Sequence, residues 1–399
     1  MKESYAISAD VAVVGGGVVG LCVSHDLAAA GAATTLWEAG HPGGGASAEA
    51  HGQLVPPAGP LRPLFDDSVA RYEQLAAEDA GEVMDRDPCG ALVLDTASAQ
   101  AVRDDGEPLS AAEARACEPA LGPAVRGAVW LPQARRIDPR RLIALLAEAA
   151  RAQGVAVRGG SPVVELIRVA RGWQLRTVQG DRVTYRTVIL AAGRHSVRLR
   201  PDLPIMGVRG RVLRTTPHPP LLRHIVGEPV RARLTVPTLA QVAAQDPAEA
   251  HVGLLLHQRP DGVLLIGASW QHAWQPDPPG LDGVVARRAI QLVPALAEAR
   301  IGGAWSGVRP ETPDGMPIVD QIDENLFVCA GHGGSGFIAG PGSARLVAEL
   351  VLGRPPFTDP RPFRHHRLGS ATSRSLPSHV CSGEDLRWVG GASATPHRP

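Results

Sequence analysis

The sequence lacks an excess of charge of either sign, because 40 Lys and Arg residues balance 40 Asp and Glu residues in 399 positions. A neutral chain has no long-range field that would attract nucleic acid, an anionic membrane or a polyanionic substrate. We therefore expect a small-molecule ligand and no nucleic-acid partner. Long apolar runs are also lacking. No stretch of about 18 apolar residues occurs, and residues 1–10 hold no signal-peptide core, so we predict no transmembrane segment and no export by the general route.

Cysteine is scarce and lysine almost absent. The five cysteines are far apart, odd in number and without CxxC or metal-ligand spacing: Cys22, Cys89, Cys117, Cys329 and Cys381. This distribution predicts a reduced, cytoplasmic protein without a metal site. Lys2 is the only lysine, which limits the chemistry available to the folded core.

A glycine-rich turn near the N-terminus is the strongest motif present. The apolar run VAVV is followed by Gly15, Gly17 and Gly20 at GxGxxG spacing, by an Ala-rich helical stretch, and by a second apolar run ending at Glu38. This order predicts a βαβ unit in a parallel sheet. In such a unit a dinucleotide diphosphate lies on the helix N-terminus and the acidic residue accepts the ribose hydroxyls. The alternative is a tight turn that binds nothing, since the chain holds 45 glycines.

The rest of the chain alternates between helix-and-strand patterns and short strands separated by polar turns. We predict an α/β protein with a Rossmann-like dinucleotide-binding domain, built on a parallel sheet, and a discontinuous, mainly antiparallel α+β substrate domain. A loop is predicted at 42–57 and a helix at 281–300. The predicted binding domain comprises 1–85, 135–205 and 305–368, the substrate domain 86–134 and 206–304, and a disordered tail 369–399.

The dinucleotide is predicted to be FAD rather than NAD. The binding half is interrupted twice, and the chain returns near its end with a second glycine-rich loop, 331–336, that opens a helix. A helix N-terminus directed at a flavin would stabilise the negative charge that develops on reduction.

Several segments resemble the D-amino-acid oxidase, glycine oxidase and sarcosine oxidase group of FAD-dependent amine oxidoreductases. The matching segments cover nearly all of 8–368 and are VAVVGGGVVG with Glu38, GGGASAEAHGQ, RIDPRRL, TVILAAG, GVRPETPDGMPIV and GHGGSGFIAGPGSARLVAELVLG. The resemblance implies that a hydride leaves the carbon next to a substrate nitrogen, and that the resulting imine is hydrolysed. The substrate would be a D-amino acid, glycine, sarcosine, proline or an opine-like amine.

Two residues are predicted to be catalytic. The resemblance implies that Arg309 holds the substrate carboxylate, and a planar guanidinium suits bidentate carboxylate binding; the alternative is an ordinary interdomain salt bridge. His51 follows the loop expected to pass the flavin and is predicted to face the ring or the substrate; the alternative is a solvated or capping histidine. Trp270, His272 and Trp274 are candidates for an apolar pocket wall or for plain packing.

The predicted cofactor-binding residues come from the two glycine-rich loops and from the segments that match the family. They are Gly15, Gly17, Val18, Val19, Gly20, Glu38, Ala39, Ala46, Ser47, Gly52, Gln53, Val163, Val164, Ala192, Gly193, Gly331, His332, Gly333, Gly334, Ser335, Gly336 and Phe337.

The chain also departs from the family's patterns. Ser306 and Gly307 stand where single-chain sarcosine oxidases attach flavin to cysteine, and Glu49 stands where dimethylglycine dehydrogenase-like enzymes use histidine. FAD is therefore predicted to be non-covalent. Because Lys2 cannot lie over the flavin, oxidase and dehydrogenase both remain open. Two further alternatives are a flavin-binding subunit of a heteromeric amine dehydrogenase, with partner subunits and no turnover of its own, and an FAD monooxygenase.

Overall fold

The computed structural model describes residues 11–79, 83–96, 101, 105–229 and 251–369. The predicted disordered tail therefore lies outside the described residues except for Gly369. Cys381 lies in the part that is not described.

The strands and helices are numbered in chain order. The strands are β1 Val11–Val14, β2 Thr34–Trp37, β3 Gln53–Leu54, β4 Ala91–Asp95, β5 Glu107–Ser110, β6 Gly127–Leu131, β7 Arg135–Arg136, β8 Ala156–Arg158, β9 Val163–Val169, β10 Gly172–Thr177, β11 Arg182–Tyr185, β12 Thr187–Leu190, β13 Met206–Thr215, β14 Ile225–Gly227, β15 His251–Gln258, β16 Leu264–His272, β17 Ile301–Glu311, β18 Ile318–Asp323 and β19 Leu326–Ala330. The helices are α1 Val18–Ala29, α2 Arg62–Glu78, α3 Ala111–Cys117, α4 Pro139–Ala152, α5 Ser196–Leu199, α6 Leu281–Leu292 and α7 Gly336–Val351.

The first large sheet has six strands in the order β18-β19-β12-β1-β2-β8. All neighbours are parallel except β18 and β19. The central strands β1 and β12 are buried along their whole length, as expected for a parallel sheet covered on both faces. The α/β class and the parallel sheet predicted from the sequence are confirmed.

The helices α1, α2, α4 and α7 share one core with the parallel sheet. Glycine at position 342 allows α7 to lie close to α2, because a methyl group there would be 2.6 Å from the Cα of Leu64 in α2. Two hydrogen bonds join the same pair of helices: Tyr72 donates its hydroxyl to the Phe337 carbonyl, and the N–H of Gly342 donates to Ser68. This contact positions the start of α7.

The second large sheet has eight strands in the order β17-β13-β16-β15-β14-β4-β6-β5. It is antiparallel except for the pair β14 and β4, and α6 packs on it through Val285 and Leu292. The predicted mainly antiparallel part of the fold is therefore present. A separate three-stranded antiparallel sheet, β11-β10-β9, precedes β12.

Two predicted boundaries differ from the structure. The helix predicted at 281–300 ends at Leu292, because Pro294 starts a short 3₁₀ turn that runs to Glu298 before β17 begins. The domain boundary predicted at 305 falls within β17, which pairs with β13 from Glu311 back to Ile301. The division of the chain into domains remains a prediction.

Candidate active site

The glycine-rich turn after β1 has the geometry that its sequence requires. Gly15 adopts φ +111°, and a methyl group there would lie 2.5 Å from the Ala191 carbonyl oxygen. Gly17 is the N-cap of α1 and contributes no side-chain cap. A methyl group on Gly17 would lie 3.1 Å from Ser47 Oγ, and one on Gly20 would overlap the Gly15 carbonyl oxygen, so each glycine of the motif permits a close approach.

Glu38 lies at the end of β2, directly beside this turn. Its carboxylate accepts the N–H of Gly16 at 2.6 Å and the N–H of Gly40 at 2.8 Å, and the residue is 9 % exposed. Two backbone donors hold the carboxylate in place, while its other lone pairs stay available for hydroxyl groups.

The loop after β2 is attached to the same turn. The N–H of Gly43 donates to the Gly16 carbonyl at 2.7 Å, and Ser47 Oγ accepts the N–H of Val18 in the first turn of α1 at 3.1 Å. Ala39 and Ala46 belong to this loop. The predicted position of the segment next to the ligand site is thus consistent with its contacts.

Two further segments contain predicted cofactor-binding residues, and each lies next to another strand. The N–H of Ser161, two residues before Val163, donates to the Glu38 carbonyl at 2.9 Å, whereas Val164 in the same strand is 36 % exposed. Gly193 follows β12 after Ala192, and a methyl group on it would lie 3.8 Å from Pro310.

The second glycine-rich loop begins at the end of β19. Gly331 and Gly333 have φ values of +82° and +53°, and a short turn at 333–335 leads into α7. His332 is 3 % exposed, and its Nε2 has no hydrogen-bond partner in the described part of the chain. Burial lowers the pKa of His332 to about 4, so its ring is neutral and its lone pair or N–H is available to a ligand.

These observations fit a bound dinucleotide. Four features lie around the carboxyl ends of parallel strands: a positive-φ glycine turn, a helix N-terminus capped by glycine, a fixed carboxylate at the next strand, and a buried imidazole whose Nε2 has no partner among the described residues. This is where open α/β sheets bind such ligands.

Arg309 projects from β17, at the edge of the second large sheet. Its guanidinium lies 4.7 Å from the centre of the Trp270 ring, and Nη1 donates to the Ser269 carbonyl at 3.2 Å. A methyl group on Gly210 of β13 would be 2.6 Å from Nη1. Burial lowers the pKa of Arg309, while the nearby Glu311 opposes this shift. Arg309 forms no ion pair with any of the described residues.

His51 lies close to Arg309. Burial, and then the charge of Arg309, lower the pKa of His51 to about 3, while a hydrogen bond to the Leu265 backbone opposes the shift. Its Nε2 is buried without a partner among the described residues. The His51 ring lies 5.4 Å from that of His257, whose Nδ1 is 2.7 Å from Nε2 of Gln53.

The segment before His51 crosses the face of β17 that carries Arg309. Trp305 donates its indole N–H to the Glu49 carbonyl at 3.1 Å, and a methyl group on Gly307 would lie 2.7 Å from the Glu49 Cβ. Trp305, Gly307 and Arg309 alternate onto one face of the strand. The structure thus brings together the loop and the motif that the sequence places more than 250 positions apart.

The sequence profile of the FAD dependent oxidoreductase family, DAO, matches residues 10–350. The chain belongs to this family.

Related proteins of the DAO family include glycine oxidases. The glycine oxidase of Geobacillus kaustophilus is 32 % identical over 384 residues, which cover 89 % of this chain and 96 % of that protein. The glycine oxidase of Pseudomonas aeruginosa is 29 % identical over 392 residues, covering 90 % and 98 %. The crystal structure of the Geobacillus kaustophilus protein superposes with a TM-score of 0.75 at 27 % identity, covering 90 % of this chain and 98 % of that one.

Membership of the DAO family confirms three predictions from the sequence: the resemblance, the cofactor FAD and an oxidoreductase as the class of enzyme. The roles of single residues, the non-covalent attachment of FAD and partner subunits remain predictions. No helix among the described residues is long and apolar enough to cross a membrane.

Sequence reasoning missed three residues that surround Arg309 and His51. Glu311 follows Arg309 at strand spacing on the same face, a signal that the alternation of β17 contains. No sequence pattern marks Gly210 or His257, because the residues that they contact come from distant segments of the chain. Of the three residues proposed as a pocket wall, Trp270 contacts Arg309, whereas His272 and Trp274 stack on each other at 4.0 Å.

Proposed function

We propose that this enzyme oxidises the carbon–nitrogen bond of a small amino acid or secondary amine, giving an imine that water hydrolyses. Glycine is the first substrate to test, because the relatives described above are named glycine oxidases; sarcosine, D-amino acids, proline and opines follow. The observation that supports the proposal most strongly is Arg309, a half-buried guanidinium beside the predicted cofactor site.

In this proposal Arg309 binds the substrate carboxylate. One hydrogen bond to the Ser269 carbonyl and the face of Trp270 fix the guanidinium plane, while its remaining N–H groups are available to a ligand. Partial burial strengthens a charge-assisted hydrogen bond because the local dielectric constant is lower than that of water.

His51 is proposed to accept a hydrogen bond from the substrate nitrogen. Its bond to the Leu265 backbone uses one ring nitrogen, and Nε2, which has no partner in the described part of the chain, is left as the acceptor. Arg309 and His51 would then hold the two ends of an amino acid from two different segments, which fixes the orientation of the α-carbon. FAD, when bound, supplies the two-electron acceptor for the oxidation.

The test is an anaerobic titration of the FAD-loaded enzyme with each candidate substrate, followed by flavin absorbance. Bleaching by one amine and not by the corresponding hydroxy acid supports the proposal. The Arg309→Ala variant should retain FAD and lose about 100-fold or more in kcat/KM, as expected for loss of a charged hydrogen-bonded pair.

Arg214→Ala is the matched control, because Arg214 is an exposed arginine of the same sheet and its removal should leave kcat/KM unchanged. An Arg309→Ala enzyme that is as active as the wild type would exclude the carboxylate-anchoring role. A fully loaded enzyme that no amino acid or amine bleaches would contradict the proposed substrate class.

Non-covalent attachment of FAD gives a separate prediction. Ser306, Gly307 and Glu49 offer neither the cysteine nor the histidine that the family uses for attachment. Acid precipitation of the purified enzyme should therefore leave all the flavin in the supernatant. Flavin that stays with the protein pellet after denaturation would show a covalent link that the sequence does not predict.

A further inference from the structure

The strand that carries Arg309 also carries a carboxylate. Glu311 lies two residues further along β17 and therefore on the same face, with about 7 Å between the two Cα atoms. Both side chains are half-buried.

The second glycine-rich loop holds both side chains. The N–H of Gly334 donates to the Glu311 carboxylate, and a methyl group on Gly333 would lie 2.6 Å from the Glu311 Cδ. A methyl group on Gly334 would lie 3.8 Å from Cδ and Nε of Arg309. The loop therefore hydrogen-bonds Glu311 and lies next to Arg309, so both side chains face the same glycine-rich segment.

The guanidinium of Arg309 and the carboxylate of Glu311 lie close enough for each charge to act on the other. Burial raises the pKa of Glu311 and lowers that of Arg309, and each charge opposes the shift of its partner. Across the described residues neither group has an ion pair within bonding distance. The site therefore holds a positive and a negative charge that are near each other but separate.

We propose that Glu311 is a specificity-determining residue that makes this site select zwitterionic amino acids over simple carboxylate anions. The inference depends on the proposed function, since it takes Arg309 as the anchor of the carboxylate. A simple anion bound to Arg309 is repelled by Glu311, whereas the ammonium group of an amino acid is attracted, and partial desolvation strengthens both effects.

The negative charge of Glu311 also favours turnover. Hydrolysis of the imine replaces the nitrogen by oxygen and yields a 2-oxo acid, which has a carboxylate and no ammonium group. Glu311 therefore weakens the binding of the product relative to the substrate, because only the substrate carries the compensating positive charge.

The experiment compares two ligands of nearly equal shape, 2-aminoisobutyrate and pivalate. Neither has a hydrogen on the α-carbon, so neither is oxidised, and only the first carries an ammonium group. Dissociation constants for the FAD-loaded enzyme are measured from the perturbation of the flavin spectrum at about pH 8, where a carboxyl group is ionised and an ammonium group keeps its proton. The wild type should bind 2-aminoisobutyrate more tightly, and Glu311→Gln should reduce this preference by about tenfold or more, mainly through tighter binding of pivalate.

Variants separate this role from a structural one. Glu311→Asp should keep the preference. Glu311→Ala removes the charge without placing an amide against the loop, and it should reduce the preference as Glu311→Gln does. Glu49→Gln is the control, because Glu49 is a carboxylate on the opposite segment whose pKa is also raised by burial. A Glu311→Gln enzyme that binds both ligands more weakly with an unchanged preference would overturn the inference, as would loss of preference in Glu49→Gln alone.

Arg309→Ala distinguishes the two proposals. If this variant binds both ligands as tightly as the wild type does, the carboxylate anchor itself is wrong. If it loses both ligands while Glu311→Gln keeps the wild-type preference, the anchor stands and only the role of Glu311 is excluded.

Discussion

The space around Arg309 depends on single glycines in the neighbouring strand. Gly210 of β13 lies opposite Gly307 of β17 in the ladder, so two residues without side chains face each other beside the guanidinium. Gly307 makes room for Glu49, and Gly210 makes room for the guanidinium itself. Neither adopts a positive φ, so the requirement is for space rather than for backbone conformation.

This arrangement predicts the effect of Gly210→Ala. The added methyl group would lie 2.5 Å from Nη2 of Arg309, so the guanidinium must move. We expect the KM for the amino acid to rise by about tenfold or more, equivalent to roughly 1.4 kcal/mol, while FAD content is unchanged. Steady-state kinetics with Gly283→Ala as the control checks this, because that methyl group meets only the flexible end of Arg287. An unchanged KM would show that Arg309 does not bind substrate from its present position.

At the scale of elements, α4 illustrates how a local signal supports the cofactor side of the fold. Asp138 is its N-cap, accepting the N–H of Arg140 at 3.0 Å and of Arg141 at 3.1 Å, and Pro139 follows at the first helical position. The buried face of α4 then joins the core of the parallel sheet through Leu142 and Leu146. Asp followed by Pro at the first helical position is a local sequence pattern typical of a helix start.

Removal of the cap should destabilise the protein without altering catalysis. We expect Asp138→Ala to lower the free energy of unfolding by about 1 kcal/mol, because two helix N–H groups lose their acceptor. Asp138→Asn retains an acceptor and should lose much less. Urea unfolding of the FAD-loaded enzyme measures the difference, and equal stability of the Ala and Asn variants would contradict the capping role.

For the whole molecule, burial of histidines determines the response to acid. Burial lowers the pKa of His51 to about 3 and the pKa values of His195 and His332 to about 4, and it lowers that of His257 well below its usual value. The unfolded chain binds protons at these sites near its usual pKa of 6.5, while the folded state does not. The contribution of these histidines to the free energy of unfolding is therefore fully present above pH 6.5 and is lost as the pH decreases below it.

The melting temperature should accordingly decline steeply between neutral pH and about pH 4, with each such histidine contributing up to about 1.4 kcal/mol per pH unit. His332→Gln removes one of these groups and should reduce the dependence of the melting temperature on pH relative to the wild type. Thermal denaturation of both proteins at a series of pH values measures this. A slope equal to that of the wild type would show that His332 does not resist protonation in the folded state.

Much of this fold follows from short stretches of sequence. The strand before Gly15, the turn, α1 and Glu38 at the end of β2 all depend on residues within about 30 positions of one another, since apolar periodicity and glycine conformation act locally. The same holds for the cap of α4. The end of α6 was predicted too late because the helical pattern continues past Pro294, which cannot extend a helix.

The sequence by itself therefore determined the α/β class, the dinucleotide turn, the family and Arg309 as the candidate anchor. Only the tertiary structure decided what surrounds Arg309. Gln53 and His257 meet across 204 positions, and Trp305 meets Glu49 across 256. Gly210 and Trp270 reach the guanidinium through strand pairing and packing. Such contacts depend on the register and order of distant strands, and no local pattern of residues encodes either.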